Sequence, residues 1–368
     1  MNIAKKVLIE FAQKADIQFN GDRAWDIQVH DERFYGRVLK GGSLALGESY
    51  MDGWWDCDDL NELIYRILKS NIHKETNKRP LVSILGNTFM NLQSKARAPK
   101  VAEDHYDLGN DLYEAMLGKG MVYTCAVWDG VDNLDDAQEQ KMDLLCKKMK
   151  LKKGDHILDI GFGFGGLAKH AAENYGVKVT GITLSKEQKK KAEEVTKGLN
   201  VDFKLMDYRD LTGTFDHVVS VEMFEAVGYK NFRTFMQKVH DVLSDDGLFV
   251  LQTIGENNTN KLGEPWLDKY IFPNGMLPSV QQIGESIDDL FVLEDWYSFG
   301  ADYEPTLKAW FENFDAAWPK LKDKYGERFY RMWKYYLETM QGSSRARFIQ
   351  DWQIVLSKNG VPGGYKRI

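Results

Sequence analysis

The chain has 368 residues, of which 43% are hydrophobic and 28% charged, and its formal net charge is −7 at pH 7. This length allows one large domain and a smaller one, and the acidic balance argues against a nucleic-acid partner. Three cysteines without CxxC spacing predict a reducing compartment, with neither a disulfide framework nor a metal site.

The first part of the chain predicts a small, mainly helical domain over residues 1–80. Its first helix has an apolar face at helical spacing, formed by Ile3, Val7, Leu8 and Phe11. Residues 81–102 end in "LQSKARAPK" and are interpreted as a linker to a domain over 103–368. The N-terminal apolar run is too short for a signal peptide, and no stretch approaches the ~18 apolar residues of a membrane span. We therefore expect a cytoplasmic chain, either free or peripheral to a membrane.

The second part of the chain alternates between strands and helices. The predicted strands include "HILDIG", "VKVTGIT", "VDFKLMDY", "DHVVSVEM", "LFVLQTIG" and a last strand "DWQIVLSK". Helices are predicted between them, over 134–150 and in "GGLAKHAAENYG", "SKEQKKKAEEVTKGL" and "NFRTFMQKVHDVL", and two aromatic-rich helices come later. Continuous apolar strands that alternate with helices predict an α/β fold with a doubly wound, mostly parallel sheet.

A glycine-rich turn follows the first of these strands. Asp159, Gly161, Gly163 and Gly165 form the pattern DxGxGxG, in which glycine permits a tight turn and a close backbone approach to a ligand. This pattern departs from the dinucleotide fingerprint GxGxxG and is expected for S-adenosylmethionine (SAM). The alternative is a generic strand-to-helix turn of an α/β protein.

The next strand ends in "GITLSKEQ", where many nucleotide-binding proteins have an acidic residue. Thr183 and Gln188 are candidates for hydrogen bonds to ribose hydroxyls. Ser185 and Gln188 also have the spacing of a helix capping box, so a role of Gln188 in the cap is an equal alternative.

Several segments together resemble the cyclopropane-fatty-acyl-phospholipid synthases, over essentially the whole chain. In order, they are "GGSLALGESYMDGWW", "HYDLGNDLY", "YTCAVW", "LDIGFGFGG", "GITLSKEQ", "MDYRDL", "SVEMFEAVG", "TIG", "KYIFPNG", "LPSV" and "FGADYEPTLKAW". The resemblance implies a SAM-dependent methylene transfer to the cis double bond of an unsaturated acyl chain in a membrane phospholipid. It further implies bicarbonate as the proton acceptor, and we also expect a homodimer.

The resemblance also assigns the site residues. Together with the glycine pattern it gives the cofactor-binding set Tyr123, Thr124, Asp159, Gly161, Gly163, Gly165, Thr183, Gln188, Asp207 and Tyr208. The bicarbonate pocket and catalytic set is Cys125, Glu225, Gln252, Ile254 and Tyr303.

The implied chemistry explains why such groups are needed. Attack of the alkene on a sulfonium methyl leaves a carbocation on the acyl chain, which must be kept from water and near electron-rich rings. A proton acceptor within hydrogen-bond reach must then take a proton so that the ring closes.

Alternatives stay open for individual residues. We expect Cys125 to contribute its backbone and small size rather than a nucleophilic thiol, and the alternative is a buried structural cysteine. Glu225 has the alternative of a solvated loop carboxylate, and Tyr303 that of a packed aromatic. The role of Glu222 is open, because the family usually has a small residue there.

The chain departs from the family at several positions. Gln252 and Ala226 stand where histidine is frequent, and Phe162 and Phe164 replace the usual Cys and Trp of the glycine loop. A glutamine amide donates hydrogen bonds but does not titrate, which puts the proton relay in doubt. Met340 replaces a cysteine that some relatives have.

A phospholipid substrate requires contact with the inner face of the membrane. The candidates are the first helix, the aromatic residues Trp54 and Trp55, and the basic residues Lys74, Lys78, Arg79, Lys95, Arg97 and Lys100. These basic runs have the alternative of ordinary solvated surface. Two competing functions remain: a SAM-dependent methyltransferase of a small amine, and a catalytically silent lipid-binding protein with the same fold.

Overall fold

The structure is a computed structural model that describes residues 3–72 and 109–368. Their contacts divide the chain into two compact units. The helical unit contains residues 3–72, Leu262–Pro273 and Tyr303–Ile349, and the sheet unit contains 109–261, Asn274–Asp302 and Gln350–Ile368. This division differs from the expected boundaries, because two later segments pack with the N-terminal residues. The expected linker, 81–102, lies outside the described residues.

The elements in chain order are α1 (Ile3–Lys14), β1 (Gln28–Val29), α2 (Arg33–Met51), β2 (Trp55–Asp56), α3 (Leu60–Lys69), α4 (Asn110–Met116), α5 (Leu134–Lys148), β3 (His156–Ile160), α6 (Gly166–Tyr175), β4 (Lys178–Thr183), α7 (Lys186–Val195), β5 (Val201–Leu205), β6 (His217–Val221), α8 (Phe232–Val242), β7 (Leu248–Glu256), α9 (Pro265–Tyr270), α10 (Val280–Ile287), β8 (Val292–Ser298), α11 (Tyr303–Tyr325), α12 (Glu327–Arg345) and β9 (Ile349–Ser357). Short 3₁₀ turns occur at Tyr208–Asp210, Phe224–Ala226 and Gly300–Asp302.

The sheet has the strand order β5-β4-β3-β6-β7-β9-β8. The pairs β4–β5, β3–β4, β3–β6 and β6–β7 are parallel, and β8–β9 is antiparallel. The strand order reverses direction at β3, so the carboxyl ends of β3 and β6 flank the position where doubly wound sheets bind ligands. The predicted α/β fold with a mostly parallel sheet is confirmed.

Both faces of the sheet are covered, which explains why its strands are continuously apolar. Leu158 and Ile160 of β3 point into one core cluster with Val218, whereas Ile157 lies in a second cluster with Val219. Successive side chains of a strand point to opposite faces of the sheet, so the two clusters lie on opposite faces.

The helical unit packs around aromatic residues. Trp55 is fully buried, and its indole Nε1 donates to the carbonyl of Leu46 at 3.0 Å. The expectation that Trp55 is exposed for membrane contact is therefore wrong. Trp54 is half-buried, with the guanidinium groups of Arg33 and Arg37 at 4.6 and 4.7 Å from its ring.

The first helix forms as predicted, but its buried face is different. Ala4, Leu8 and Ala12 are buried, whereas Ile3 is 80% exposed. Over the described residues, none of the helices combines the length and apolar character that crossing a bilayer requires. The six basic residues proposed for membrane contact, Lys74, Lys78, Arg79, Lys95, Arg97 and Lys100, lie outside the described residues.

Candidate active site

The glycine loop connects β3 to α6 and requires glycine at three positions. Gly161, Gly163 and Gly165 have φ values of 85°, 56° and 88°, in the left-handed region that side chains disfavour. A Cβ at Gly161 would lie 2.7 Å from Cγ of Met223, whereas one at Gly163 would meet no described atom within 4 Å. The loop thus exposes backbone at Gly163 and is closely packed at Gly161.

Asp159 lies near the carboxyl end of β3 and is 2% exposed. Burial raises the pKa of its carboxyl group to about 7, and the nearby Lys141 ammonium opposes this increase. Its Oδ2 is buried without a hydrogen-bond partner among the described residues. A buried acceptor of this kind is suited to a donor from a bound ligand.

Two roles were predicted for Gln188, ribose binding and helix capping, and the segment after β4 contains part of the cap. The hydroxyl of Ser185 accepts from the backbone N–H of Gln188 at 3.2 Å, which caps α7. The side-chain Oε1 of Gln188 accepts from the hydroxyl of Thr183 at 3.0 Å, and that hydroxyl accepts from the backbone N–H of Ser185. The side chains of Thr183 and Gln188 are thus hydrogen-bonded to each other at the end of β4, which lies beside β3.

Asp207 and Tyr208 follow β5, on the same sheet edge. The Asp207 carboxylate accepts from the backbone N–H and from Nη1 of Arg209, both at 2.9 Å. Tyr208 is buried, its ring lies 5.2 Å from that of Phe235, and burial raises the pKa of its hydroxyl group. The Tyr208 hydroxyl has no hydrogen-bond partner among the described residues.

Tyr123 and Thr124 lie in the segment between α4 and α5. The Tyr123 ring packs at 5.3 Å from Tyr113, which in turn packs against Phe164 of the glycine loop. The hydroxyl of Thr124 accepts from Nζ of Lys141 at 2.6 Å. Lys141 is 2% exposed and burial lowers its pKa, although neighbouring carboxylates oppose this decrease.

Two backbone groups of Cys125 contact neighbouring polar side chains. Its backbone N–H donates to Oε1 of Glu222 at 2.7 Å, and its carbonyl accepts from Nε2 of Gln252 at 3.4 Å. The thiol is fully buried and donates a long hydrogen bond, at 3.4 Å, to the carbonyl of Ala126. Burial, followed by nearby carboxylates, raises its pKa well above the usual range, which does not favour a nucleophilic thiolate.

Gln252 is fully buried on β7, and its amide contacts three groups. Nε2 donates to Oε1 of Glu222 at 2.9 Å as well as to Cys125, and Oε1 accepts from Nε2 of Gln353 at 3.0 Å. Because the two Nε2 hydrogens are directed at protein acceptors, this amide is not left as a donor to an added ion.

Glu225 lies in the 3₁₀ turn after β6. Its Oε1 accepts from the hydroxyl of Thr253 at 2.9 Å and from the backbone N–H of Ile254. Its Oε2 is buried and has no hydrogen-bond partner among the described residues. Burial and then the charge of Glu222 raise the pKa of Glu225 to about 8, so the side chain is a protonated acid at neutral pH.

Three residues of this cluster were not assigned a role from the sequence: Glu222, Asp351 and Lys141. Asp351 is fully buried on β9 beside Glu222, and burial followed by that carboxylate raises its pKa well above the usual range. The signals for Glu222 and Lys141 were an unusual acid after a strand and a lysine on the buried face of a predicted helix. No comparable signal marks Asp351, which is the first residue of the predicted last strand "DWQIVLSK".

Tyr303 begins α11 and belongs to the helical unit. It is 5% exposed, with its ring 6.0 Å from that of Trp310. Cys125 therefore lies with Gln252, Ile254 and Glu225 in the sheet unit, whereas Tyr303 belongs to the helical unit.

The two ligands implied by the sequence fit these residues differently. The exposed backbone at Gly163, the unpaired Oδ2 of Asp159 and the Thr183–Gln188 pair suit SAM. Bicarbonate fits poorly, because Glu222 already accepts from both the Cys125 N–H and Nε2 of Gln252. Within the described residues, no group of three or more His, Cys, Asp or Glu side chains could hold a metal ion.

Comparison with known proteins shows the family of this chain. The family described as mycolic acid cyclopropane synthetase matches residues 93–354. The chain is 49% identical over 363 residues to the cyclopropane-fatty-acyl-phospholipid synthase of Escherichia coli (strain K12), covering 98% of this chain and 95% of that protein. The cyclopropane synthase MmaA2 from Mycobacterium tuberculosis is 26% identical, with a TM-score of 0.67 over 71% of this chain and 98% of its own. The mycolic acid cyclopropane synthase CmaA1, solved in complex with SAH and CTAB, is also 26% identical, with a TM-score of 0.66 and the same coverage. The chain therefore belongs to the mycolic acid cyclopropane synthetase family of SAM-dependent methyltransferases.

Proposed function

We propose that this enzyme transfers a methylene group from SAM to the cis double bond of unsaturated acyl chains in membrane phospholipids, which gives cyclopropane fatty acids. The observation that carries the proposal is the 49% identity, over nearly the full length of both chains, to the E. coli synthase. The carboxyl groups of Glu222 and Glu225 after β6, with Asp351 on β9, support it, because ring closure needs a proton acceptor in a dry site.

The cofactor-binding role is assigned to residues around the glycine loop. Asp159 is suited to accept a hydrogen bond from the amino-acid part of SAM, and the Thr183–Gln188 pair to bind the ribose hydroxyls. Asp207 and Tyr208 follow β5, next to β4 in the sheet, and the Tyr123 ring packs against Tyr113, which contacts Phe164 of the loop. Thr124 follows Tyr123 in the chain. SAM supplies an electrophilic sulfonium methyl group.

The catalytic role is assigned to Glu225, Gln252 and the backbones of Cys125 and Ile254. The Ile254 N–H and the Thr253 hydroxyl fix one oxygen of Glu225, which leaves its buried Oε2 for the reacting groups. Bicarbonate, which the resemblance implies, would be a separate proton acceptor. Assays with and without bicarbonate distinguish it from an acceptor that belongs to the protein. Tyr303 is a further candidate from the resemblance alone.

Contact with the inner face of the membrane is also part of the proposal. The exposed Ile3 on α1, with Lys6 and Lys14 on the same helix, combines an apolar tip with cationic groups that an anionic leaflet attracts. Sedimentation with liposomes tests this: binding should increase with anionic lipid and decrease with salt. The homodimer is a prediction that light scattering of the purified chain would check.

Product analysis after incubation with SAM tests the function. Vesicles of unsaturated phospholipid should gain the mass of one CH2 group per acyl chain, with loss of the double bond. An Asp159→Asn variant should lose this activity, whereas the matched Asp246→Asn variant, on an exposed turn, should keep it. A mass gain on small amines but not on lipid would favour an amine methyltransferase, and lipid binding without any product would favour a silent lipid-binding protein.

A further inference from the structure

We propose that the carboxylate of Glu222 is a proton acceptor built into the chain, which takes the place of bicarbonate in ring closure. This inference rests on the proposed function, since it concerns the proton released in that reaction. It explains why the residues of the pocket do not fit an added oxyanion.

Glu222 occupies the donors that an oxyanion in this pocket would use. Its Oε1 accepts from the Cys125 backbone N–H at 2.7 Å and from Nε2 of Gln252 at 2.9 Å. Two N–H groups that converge on one oxygen form the usual binding arrangement for an oxyanion. A second anion on the same donors would be repelled by the carboxylate already there.

The position of Glu222 is fixed by Gln252 from two directions. The backbone N–H of Glu222 donates to the carbonyl of Gln252 at 2.8 Å, in addition to the side-chain contact. Gln353 donates to Oε1 of Gln252 at 3.0 Å, and this orients the amide so that its Nε2 donates to Glu222 and to the Cys125 carbonyl. Glutamine in place of the frequent histidine thus suits a site whose anion is a protein carboxylate.

The backbone conformation of Glu222 is energetically unfavourable for a residue with a side chain. Its φ of 47° lies in the left-handed region, which glycine adopts readily and a glutamate does not. Such strain is concentrated at functional sites, where the surroundings hold the residue in place.

Asp351 completes the acceptor. It is fully buried next to Glu222, and burial together with that carboxylate raises its pKa well above the usual range. This raised pKa favours the protonated form of Asp351 beside the Glu222 side chain. Lys141 lies near both carboxyl groups and partly balances the charge of the Glu222 carboxylate.

The step balances without an added reagent. A C–H bond of the transferred methyl group breaks, and its electron pair forms the ring bond to the cationic carbon of the acyl chain. The proton passes to the Glu222 carboxylate and then to water during turnover. No oxidant or reductant takes part.

The test compares activity in buffer stripped of CO2 and bicarbonate with activity after bicarbonate is added. The full-length enzyme should form cyclopropane product from SAM and unsaturated vesicles at the same rate in both buffers. Glu222→Gly removes the carboxylate and relieves the backbone strain, so it should fold. Its rate in stripped buffer should fall by about 10²–10⁴-fold, the usual contribution of a general base. Added bicarbonate or formate should restore part of that loss.

The outcomes separate this inference from the proposed function. A wild-type rate that depends on bicarbonate would overturn the role of Glu222 but leave cyclopropanation in place. Full activity of Glu222→Gly in stripped buffer would also overturn it, as would a loss that no added anion restores while SAM binding is retained. Absence of product from the wild-type enzyme in either buffer would instead contradict the proposed function.

Discussion

Alanine at Gly161 and at Gly163 should have different effects, although both glycines belong to the same loop. Their φ values of 85° and 56° would cost an alanine about 1–2 kcal/mol each. At Gly161 the new Cβ would also lie 2.7 and 2.8 Å from Cγ and Cβ of Met223. Because Cβ of Met223 is fixed by its backbone, rotation of the side chain does not remove this overlap, which adds about 1–3 kcal/mol. We therefore expect Gly161→Ala to lower the free energy of unfolding by about 2–5 kcal/mol and Gly163→Ala by about 1–2 kcal/mol.

Urea unfolding followed by tryptophan fluorescence measures both losses, and calorimetry measures SAM affinity. Gly213→Ala is the matched control, since Gly213 has a φ of 93°, no described atom within 4 Å of its Cβ position, and a place before β6 rather than after β3. Gly163→Ala should match this control in stability but bind SAM more weakly, because its Cβ would project where the cofactor approaches the backbone. Equal stability losses at Gly161 and Gly163 would refute the packing argument. An unchanged SAM affinity in Gly163→Ala would refute the role of the loop.

Three further predictions concern Cys125, Glu225 and Gln252. Cys125→Ser should keep most of the activity, because Glu222 and Gln252 contact its backbone rather than its sulfur, and a folded variant with only background activity would contradict this. Glu225→Gln should flatten the pH dependence of stability: the pKa of Glu225 is raised from 4.5 to about 8, so the stabilisation from its proton is complete below pH 4.5 and lost as the pH rises through 8. Unfolding free energies across that range measure the effect, and an unchanged slope would count against it. Gln252→Ala should lower product formation more than SAM affinity and reduce the free energy of unfolding by about 1–3 kcal/mol, because it removes a donor to Glu222 and the acceptor of the buried Gln353 amide. Parallel losses of activity and SAM affinity would argue against this assignment.

The sheet could be predicted because its signals are local. Strands such as β3 and β4 are short apolar runs between turn residues, and the alternation with helices fixes a parallel arrangement. Strand β8 was missed, since its sequence "VLEDWYS" is half-exposed at the sheet edge and lacks a continuous apolar run. The first helix was placed correctly, but its buried face is formed by Ala4, Leu8 and Ala12, whereas Ile3 of the predicted apolar face is exposed.

The candidate site was predictable only in part, for a physical reason. The positions of the glycines and of Asp159 follow from one strand and one turn, so a single segment reveals them. The contact of Cys125 with Glu222 joins residues 97 apart, and no pattern within either segment indicates it. The neutral state of Asp351 depends on burial and on a neighbouring charge, which only the folded chain provides.

The order of the strands also has a consequence for synthesis of the protein. Strand β9 lies between β7 and β8 and carries Asp351 and Gln353, so the interior of the sheet stays open until the ribosome has added residue 357. Nascent chains that stop earlier would expose the apolar flank of β7 and a half-assembled cluster of acids. Folding of this unit must therefore wait for pairings between distant segments, which are slow to form and leave newly made chains dependent on protection from aggregation.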